Sequence, residues 1–164
     1  MAVYVIGGGL AGSEAAWQIA KYGIDVKLYE MKPVKFSEAH VSENLAELVC
    51  SNSLKASNIE NASGLLKEEM RLLKGMVIGC ADESAVPAGG ALAVDRDVFA
   101  QKVTNNLLSC PNISIFREEI TSIKKLLSSV DDCQGVVIAT GPLTSKPLAD
   151  EISELKNKSF LTNS

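Results

Sequence analysis

Residues 3–23 read VYVIGGGLAGSEAAWQIAKYG, and one residue later residues 25–30 read DVKLYE. The apolar run over residues 2–6 fits a strand buried on both faces, and it ends in Gly7, Gly8 and Gly9. After the glycines, Ala11, Ala15, Ala16, Ile19 and Ala20 fall on one helical face, and Gly23 is placed to stop that helix. Residues 24–30 alternate as a second strand, with Ile24, Val26 and Leu28 on one side and Glu30 at the end. Strand, tight turn, helix and strand make a βαβ unit.

Gly7, Gly9 and Gly12 fit G-x-G-x-x-G directly after a strand and at the opening of a helix, the context in which that spacing is informative. Gly7 permits the turn, Gly9 lets the backbone approach a pyrophosphate, and Gly12 lets helix and strand pack closely. Gly7, Gly8, Gly9, Leu10, Ala11 and Gly12 are therefore the candidate cofactor-binding residues, with a pyrophosphate on the unpaired N–H groups of the helix N-terminus. Glu30 falls where an acid accepts hydrogen bonds from ribose hydroxyls. The alternative is a glycine-rich turn with a solvated Glu30. The spacing alone does not separate NAD from FAD.

Outward from this unit, residues 31–93 read as mainly helical. Residues 43–50, ENLAELVC, predict a short amphipathic helix, and residues 63–75 predict another, with Leu65, Leu66, Met70 and Leu73 on one stripe before Gly75. Residues 51–63 between them read as polar turn material. A loop over 86–90, a short strand over 91–96 and a helix over 97–109 follow, the helix with Phe99, Val103 and Leu107 inward and Asp97 near its start. Residues 112–120 predict a strand, 121–127 are ambiguous, and 135–141, GVVIATG, predict a buried strand. Residues 146–164 begin as a helix and turn polar without a further strand, so a parallel sheet built from these elements is expected to be incomplete at one edge.

Composition narrows the function classes. With 164 residues the chain suits one domain with a real core. Sixteen Lys and Arg against twenty Asp and Glu give a net charge of −4, and no basic block forms a nucleic-acid face, so this chain alone is expected to bind RNA weakly. Four scattered cysteines and one histidine, without a C-x-x-C pair, argue against a metal site. The opening apolar run is broken by glycines and does not read as a signal peptide, and no run approaches a membrane span, so a reducing cytoplasm is the expected setting.

Cys50, followed by Ser51, Asn52 and Ser53, is the candidate nucleophile, although a cysteine ending an apolar stretch is more often a small buried hydrophobe. The polar residues after it could turn backbone N–H groups toward the sulfur. Asp95 and Arg96 read as a helix-start acid and a surface or phosphate-facing base, and His40 as a surface residue. No G-x-S-x-G elbow supports a serine triad.

Residues 135–141 with Pro142 resemble the second FAD-contacting motif of two-dinucleotide flavoproteins, which puts Thr140 and Gly141 near the cofactor. Together with residues 5–33, LAELVCSNSLKA over 45–56, NASGLLKEEMRLL over 61–73, VPAGGALAVDRDVFAQKVT over 86–104 and VVIATGPLTS over 136–145, they resemble the bacterial folate- and FAD-dependent tRNA (uracil-5-)-methyltransferases. The resemblance implies a Rossmann-like α/β FAD-binding domain over residues 1–145, with a parallel sheet and a mainly helical insertion over about 40–90. Residues 146–164 would then begin a continuation into a second domain, so that the chain alone is expected to be inactive.

The resemblance further implies transfer of a methylene from methylenetetrahydrofolate through reduced FAD to C5 of a uridine in the tRNA T loop. NAD(P)H would be the reductant. Cys50 matches one of that family's two functional cysteines, either the thiol that attacks the base or the group that assists proton removal. Val41 stands where the family pattern has a second histidine beside His40. Two other readings stand beside this one: the related flavoprotein that modifies the wobble uridine, and a non-catalytic dinucleotide-binding fragment.

Overall fold

The structure, a computed structural model, describes residues 1–161. In chain order its elements are β1 (Ala2–Ile6), α1 (Leu10–Lys21), β2 (Asp25–Glu30), β3 (Ser53–Ala56), α2 (Ala62–Leu72), α3 (Met76–Glu83), β4 (Ala85–Val86), β5 (Ala91–Val94), α4 (Arg96–Ser109), β6 (Ile113–Arg117), α5 (Ile123–Ser128), β7 (Cys133–Ile138) and α6 (Lys146–Leu161). A short 3-10 turn, Gly141–Leu143, follows β7.

Four parallel strands lie in the order β6-β2-β1-β7, with Ala2 opposite Asp25 on one side and Ile6 opposite Ile138 on the other. The chain moves outward from β1 through β2 to β6 and then returns across β1 to β7. Strand order therefore reverses at β1 and β7, and a crevice opens beyond their carboxyl ends. β1 is covered on both faces, as its unbroken apolar run requires. On one face Val5, Val26 and Leu28 pack with Ala16 and Ala20 of α1 and with Phe99, Val103 and Leu107 of α4. On the other, Tyr4, Ile6 and Tyr29 pack with Ile123 and Leu126 of α5 and Leu148 of α6. This is the Rossmann-like α/β architecture that the resemblance implied, begun by the βαβ unit read from residues 2–30.

Carboxylates fix how the helices dock. Glu14 of α1 accepts the N–H groups of Met76 (3.1 Å) and Val77 (2.7 Å), satisfying two donors at the start of α3. Glu151 of α6 does the same for α5, accepting from Ile123 N–H (2.6 Å), Lys124 N–H (3.2 Å) and the Ser122 hydroxyl (3.1 Å). Asp95 caps α4 through the N–H groups of Asp97 and Val98, the helix-start role read from VDR.

Between β2 and β6 the structure departs from the sequence reading in three places. Residues 43–50 form no helix. Ala46 adopts φ 53°, and its N–H and that of Leu45 are taken by Gly8 O and the Thr104 hydroxyl rather than by a preceding turn. Residues 53–56 form β3 rather than a turn, because they pair with β5 in a three-stranded antiparallel sheet, β3-β5-β4. The leucines of the predicted stripe face outward, Leu65 and Leu66 on α2 and Leu73 just after it being exposed, whereas its Met70 packs partly buried against the core and Gly64 and Lys67 are buried. A Cβ on Gly64 would strike the Asn58 backbone, and the Lys67 ammonium donates to the carbonyls of Ala56 (2.9 Å) and Ser63 (2.8 Å), so the preceding loop occupies the side that the leucines would need. The ambiguous stretch 121–127 becomes α5, and the helix expected from residue 146 runs to Leu161; the polar end of the tail, residues 162–164, lies outside the described residues. Among the described residues no helix is long and apolar enough to cross a membrane.

Candidate functional site

A cleft of about 280 Å³ lies at the crevice between β1 and β7, lined by the glycine loop, Glu30, Lys32, His40, Glu47 and residues 139–145, among others. Each fingerprint glycine meets a different constraint. Gly7 has φ +102°, donates its N–H to Tyr29 O (2.8 Å), and sits so close to residue 139 that a Cβ would come within 2.7 Å of Ala139 O. A Cβ on Gly12 would run into Gly7 O, so only glycine lets α1 start this near β1. A Cβ on Gly9 would meet nothing within 4 Å; that side of the loop is open. No side chain caps α1 at Gly9, and Leu10 and Ala11 are exposed beside it. The first-turn N–H groups, which have no partner inside the helix, thus meet no capping side chain among the described residues.

Glu30 takes a different first task from the one its position suggests. It is 8% exposed and braces the loop from beneath: Oε2 accepts from Gly8 N–H (2.8 Å) and Oε1 from Lys32 N–H (3.0 Å). A carboxylate offers about four lone-pair sites, so these two bonds leave acceptor capacity toward the cleft. Across from it, Ala139 N–H continues the ladder to Ile6 O (2.8 Å). The Thr140 and Thr144 hydroxyls share a hydrogen bond (2.5 Å), and Gly141 takes φ +65° to open the 3-10 turn. Gly7 to Gly12, Glu30, Thr140 and Gly141 are therefore brought to one place, save that Gly12 faces the loop's own backbone rather than the cleft.

Sequence reasoning missed the residues that hold the 31–50 segment over this site. Lys32, 3% exposed, donates from Nζ to Asn44 O (2.8 Å) and to Glu47 Oε2 (2.9 Å). The other Glu47 oxygen accepts from Val41 N–H (2.9 Å) and Ser42 N–H (3.1 Å). Arg117 of β6 donates to the carbonyls of Lys32 (3.1 Å) and Glu43 (2.9 Å). The only signal for Lys32 in the sequence was its place two residues after Glu30; nothing local marked Glu47 or Arg117. Burial alone pushes the Glu47 carboxyl up, but the N–H groups of Val41 and Ser42 and the Lys32 ammonium hold it below the usual carboxylate range. At the cleft wall the Lys35 ammonium, 2.7 Å away, likewise lowers Glu119.

Glu151 is also net lowered, its burial outweighed by the N–H groups of Ile123 and Lys124 and the Ser122 hydroxyl. For Glu47, Glu119 and Glu151 the folded pKa lies below an ordinary value of 4.5, so their stabilisation is full above that pH and is lost as pH falls through the folded values. Thermal melts on either side of pH 4.5 are expected to show Tm level above it and falling below it; a Tm that stays level in acid would contradict these contacts.

Cys50 is exposed, which overturns its reading as a small buried hydrophobe. It stands one residue beyond Val49, which lines the cleft, but does not line the cleft itself. Of the polar residues after it, Ser53 donates its N–H to the Ser51 hydroxyl (3.0 Å) and Asn52 donates from its side chain to Val94 O (3.2 Å), and among the described residues no hydrogen bond reaches the sulfur. His40 lines the cleft and bonds Ser37 (2.6 Å), whereas Val41 beside it is exposed. Arg96 donates to Leu48 O (3.4 Å), so it serves this same segment.

The model of the family described as glucose inhibited division protein A matches residues 2–160. Among curated relatives, the methylenetetrahydrofolate–tRNA-(uracil-5-)-methyltransferase TrmFO of Anoxybacillus flavithermus is 55% identical over 161 residues, 98% of this chain and 35% of its own length. The proteins of that name from Pelotomaculum thermopropionicum and Bacillus subtilis are 57% and 54% identical, each over 159 residues, 97% of this chain and 35% of theirs. The chain spans about a third of the length of the curated relatives it matches.

Proposed function

We propose, from the premise that the chain belongs to the glucose inhibited division protein A family, that residues 1–145 are the FAD-binding domain of a tRNA (uracil-5-)-methyltransferase acting in the cytoplasm. The observation that carries the reading is the convergence of an uncapped helix N-terminus, the open side of Gly9 and residues 139–141 at the point where strand order reverses. An FAD pyrophosphate fits there: the first-turn N–H groups and the helix dipole favour a negative group, and Gly9 leaves it room. The lone pairs that Glu30 keeps beyond its two backbone bonds suit ribose hydroxyls, and Thr140 and Gly141 form the opposite wall.

FAD supplies the redox chemistry by which a methylene from methylenetetrahydrofolate becomes the methyl of 5-methyluridine in the T loop of tRNA, with NAD(P)H as reductant. The chain's own contribution is binding, orientation and one thiol. C5 of uracil is a poor nucleophile until a thiolate adds at C6, so a cysteine beside the cleft has a task, and exposed Cys50 is in reach of a large substrate. Cys50 either makes that attack or assists removal of the C5 proton. The relatives carry the methyltransferase name at 54–57% identity, which favours this reading over wobble-uridine modification. With net charge −4 the chain supplies little of the attraction for tRNA phosphates.

A titration with FAD tests the site, followed by flavin fluorescence and thermal melting with NADH as the comparison. Saturable quenching with a rise in Tm is expected, equivalent to about 2.7 kcal/mol at a hundredfold excess over Kd, and little response to NADH. A chain that melts cooperatively and answers neither ligand, or both alike, would refute the assignment.

A further inference from the structure

The segment that carries Cys50 is tied to the glycine loop by an unbroken set of hydrogen bonds, and one buried ion pair closes it. Gly8 is held at both ends of its backbone: its N–H donates to Glu30, and its C=O accepts from Ala46 N–H (2.8 Å). Glu30 holds Lys32 through the backbone, Lys32 holds Glu47 through its ammonium, and Glu47 holds Val41 and Ser42. Ala46 lies between these anchors at φ 53°, a conformation an L residue adopts only when its surroundings impose it. The two side chains of the pair are 4% and 10% exposed. Burying a charge pair has a desolvation cost that is offset only by good geometry and full hydrogen bonding, and a surface segment with no further role could be held by apolar contacts alone.

We propose that Lys32 and Glu47 are positioning residues that couple occupancy of the glycine loop to the placement of Cys50. The inference rests on the dinucleotide reading above. A ligand that settles on the N–H groups beside Gly8 and Gly9 bears on the Gly8 peptide. Any shift of that peptide reaches Ala46 directly and Glu47 by way of Glu30 and Lys32, and Cys50 follows three residues after Glu47. Neither Lys32 nor Glu47 is required to touch the reacting atoms.

The test uses the whole 164-residue chain with FAD as the probe and iodoacetamide alkylation of Cys50 followed by peptide mass. In the wild type, FAD is expected to change the Cys50 alkylation rate by about fivefold or more, the low end of ordinary coupling between two sites. In the Lys32→Gln/Glu47→Gln double variant, which leaves no uncompensated charge, that ratio, read at FAD concentrations that saturate each protein, is expected to drop below about twofold. Lys32→Arg is expected to retain the effect. A double variant that keeps the full FAD effect, or a wild type that binds FAD with no change at Cys50, overturns the proposal and leaves the FAD site standing.

If the double variant does not melt cooperatively, Glu47→Asp, which keeps the charge but shortens its reach, is read against the same limits. Should the wild type bind no FAD, the dinucleotide reading fails. The coupling of loop occupancy to Cys50 falls with it, whereas the outcomes above overturn the coupling and leave the FAD site standing.

Discussion

Replacement of Gly12 by alanine is expected to destabilise the fold by about 3 kcal/mol or more, at the upper end of overpacking, because the new methyl meets the carbonyl oxygen of Gly7 rather than a side chain that can move. Gly7 cannot retreat, since it is itself pressed against residues 139 and 140. For a chain of this size the loss corresponds to a fall in Tm of about 10 °C. Gly9→Ala is the matching control. Its φ of −72° suits alanine and its Cβ would meet nothing, so Tm is expected to hold while FAD affinity drops about tenfold or more as the methyl enters the space left for the pyrophosphate. Thermal melts and FAD titrations on the two variants separate a packing glycine from a binding glycine. Equal effects on both readouts would show that the loop does not divide its tasks this way.

Phe99→Ala is expected to cost about 3–5 kcal/mol. The ring has no exposed surface and lies in the cluster shared by α1, α4 and the central strands, where the backbone is fixed on one side by the sheet and a cavity cannot readily collapse. Because α4 also supplies the Thr104 hydroxyl that holds Leu45, the same variant is expected to loosen the 43–50 segment before the sheet itself opens. Chemical denaturation with an unchanged m value and a lower midpoint would confirm a cavity effect; a cost below about 1 kcal/mol would show that the site repacks.

How much of this was legible in the sequence differs from one element to the next. The turn at Gly7 and the close packing at Gly12 were legible, since both follow from their offset to a strand and a helix that are themselves local patterns. The inward residues of α4 were legible for the same reason: Phe99, Val103 and Leu107 recur at helical spacing, and all three are buried. Residues 63–75 carried an equally regular stripe, yet its leucines face out, because a periodic pattern says which residues share a face and not what lies against that face. Glu30 was placed correctly, but its bonds to Gly8 and Lys32 were not visible until the loop had folded back over it.

The sequence by itself determined the βαβ start, the position of the glycine turn and the helix that presents its N-terminus to the cleft. These depend on contacts between residues near in the chain, where propensity and spacing act directly. Only the tertiary structure decided the path of residues 31–52. There Leu45 is held by a hydroxyl 59 residues further on, Lys32 by Glu47, and the carbonyls of Lys32 and Glu43 by Arg117 from the sheet edge. A backbone whose N–H and C=O groups are satisfied by distant partners has no need of the helix its local pattern favours, and so the placement of Cys50 was settled by long-range hydrogen bonds that the local sequence pattern does not display.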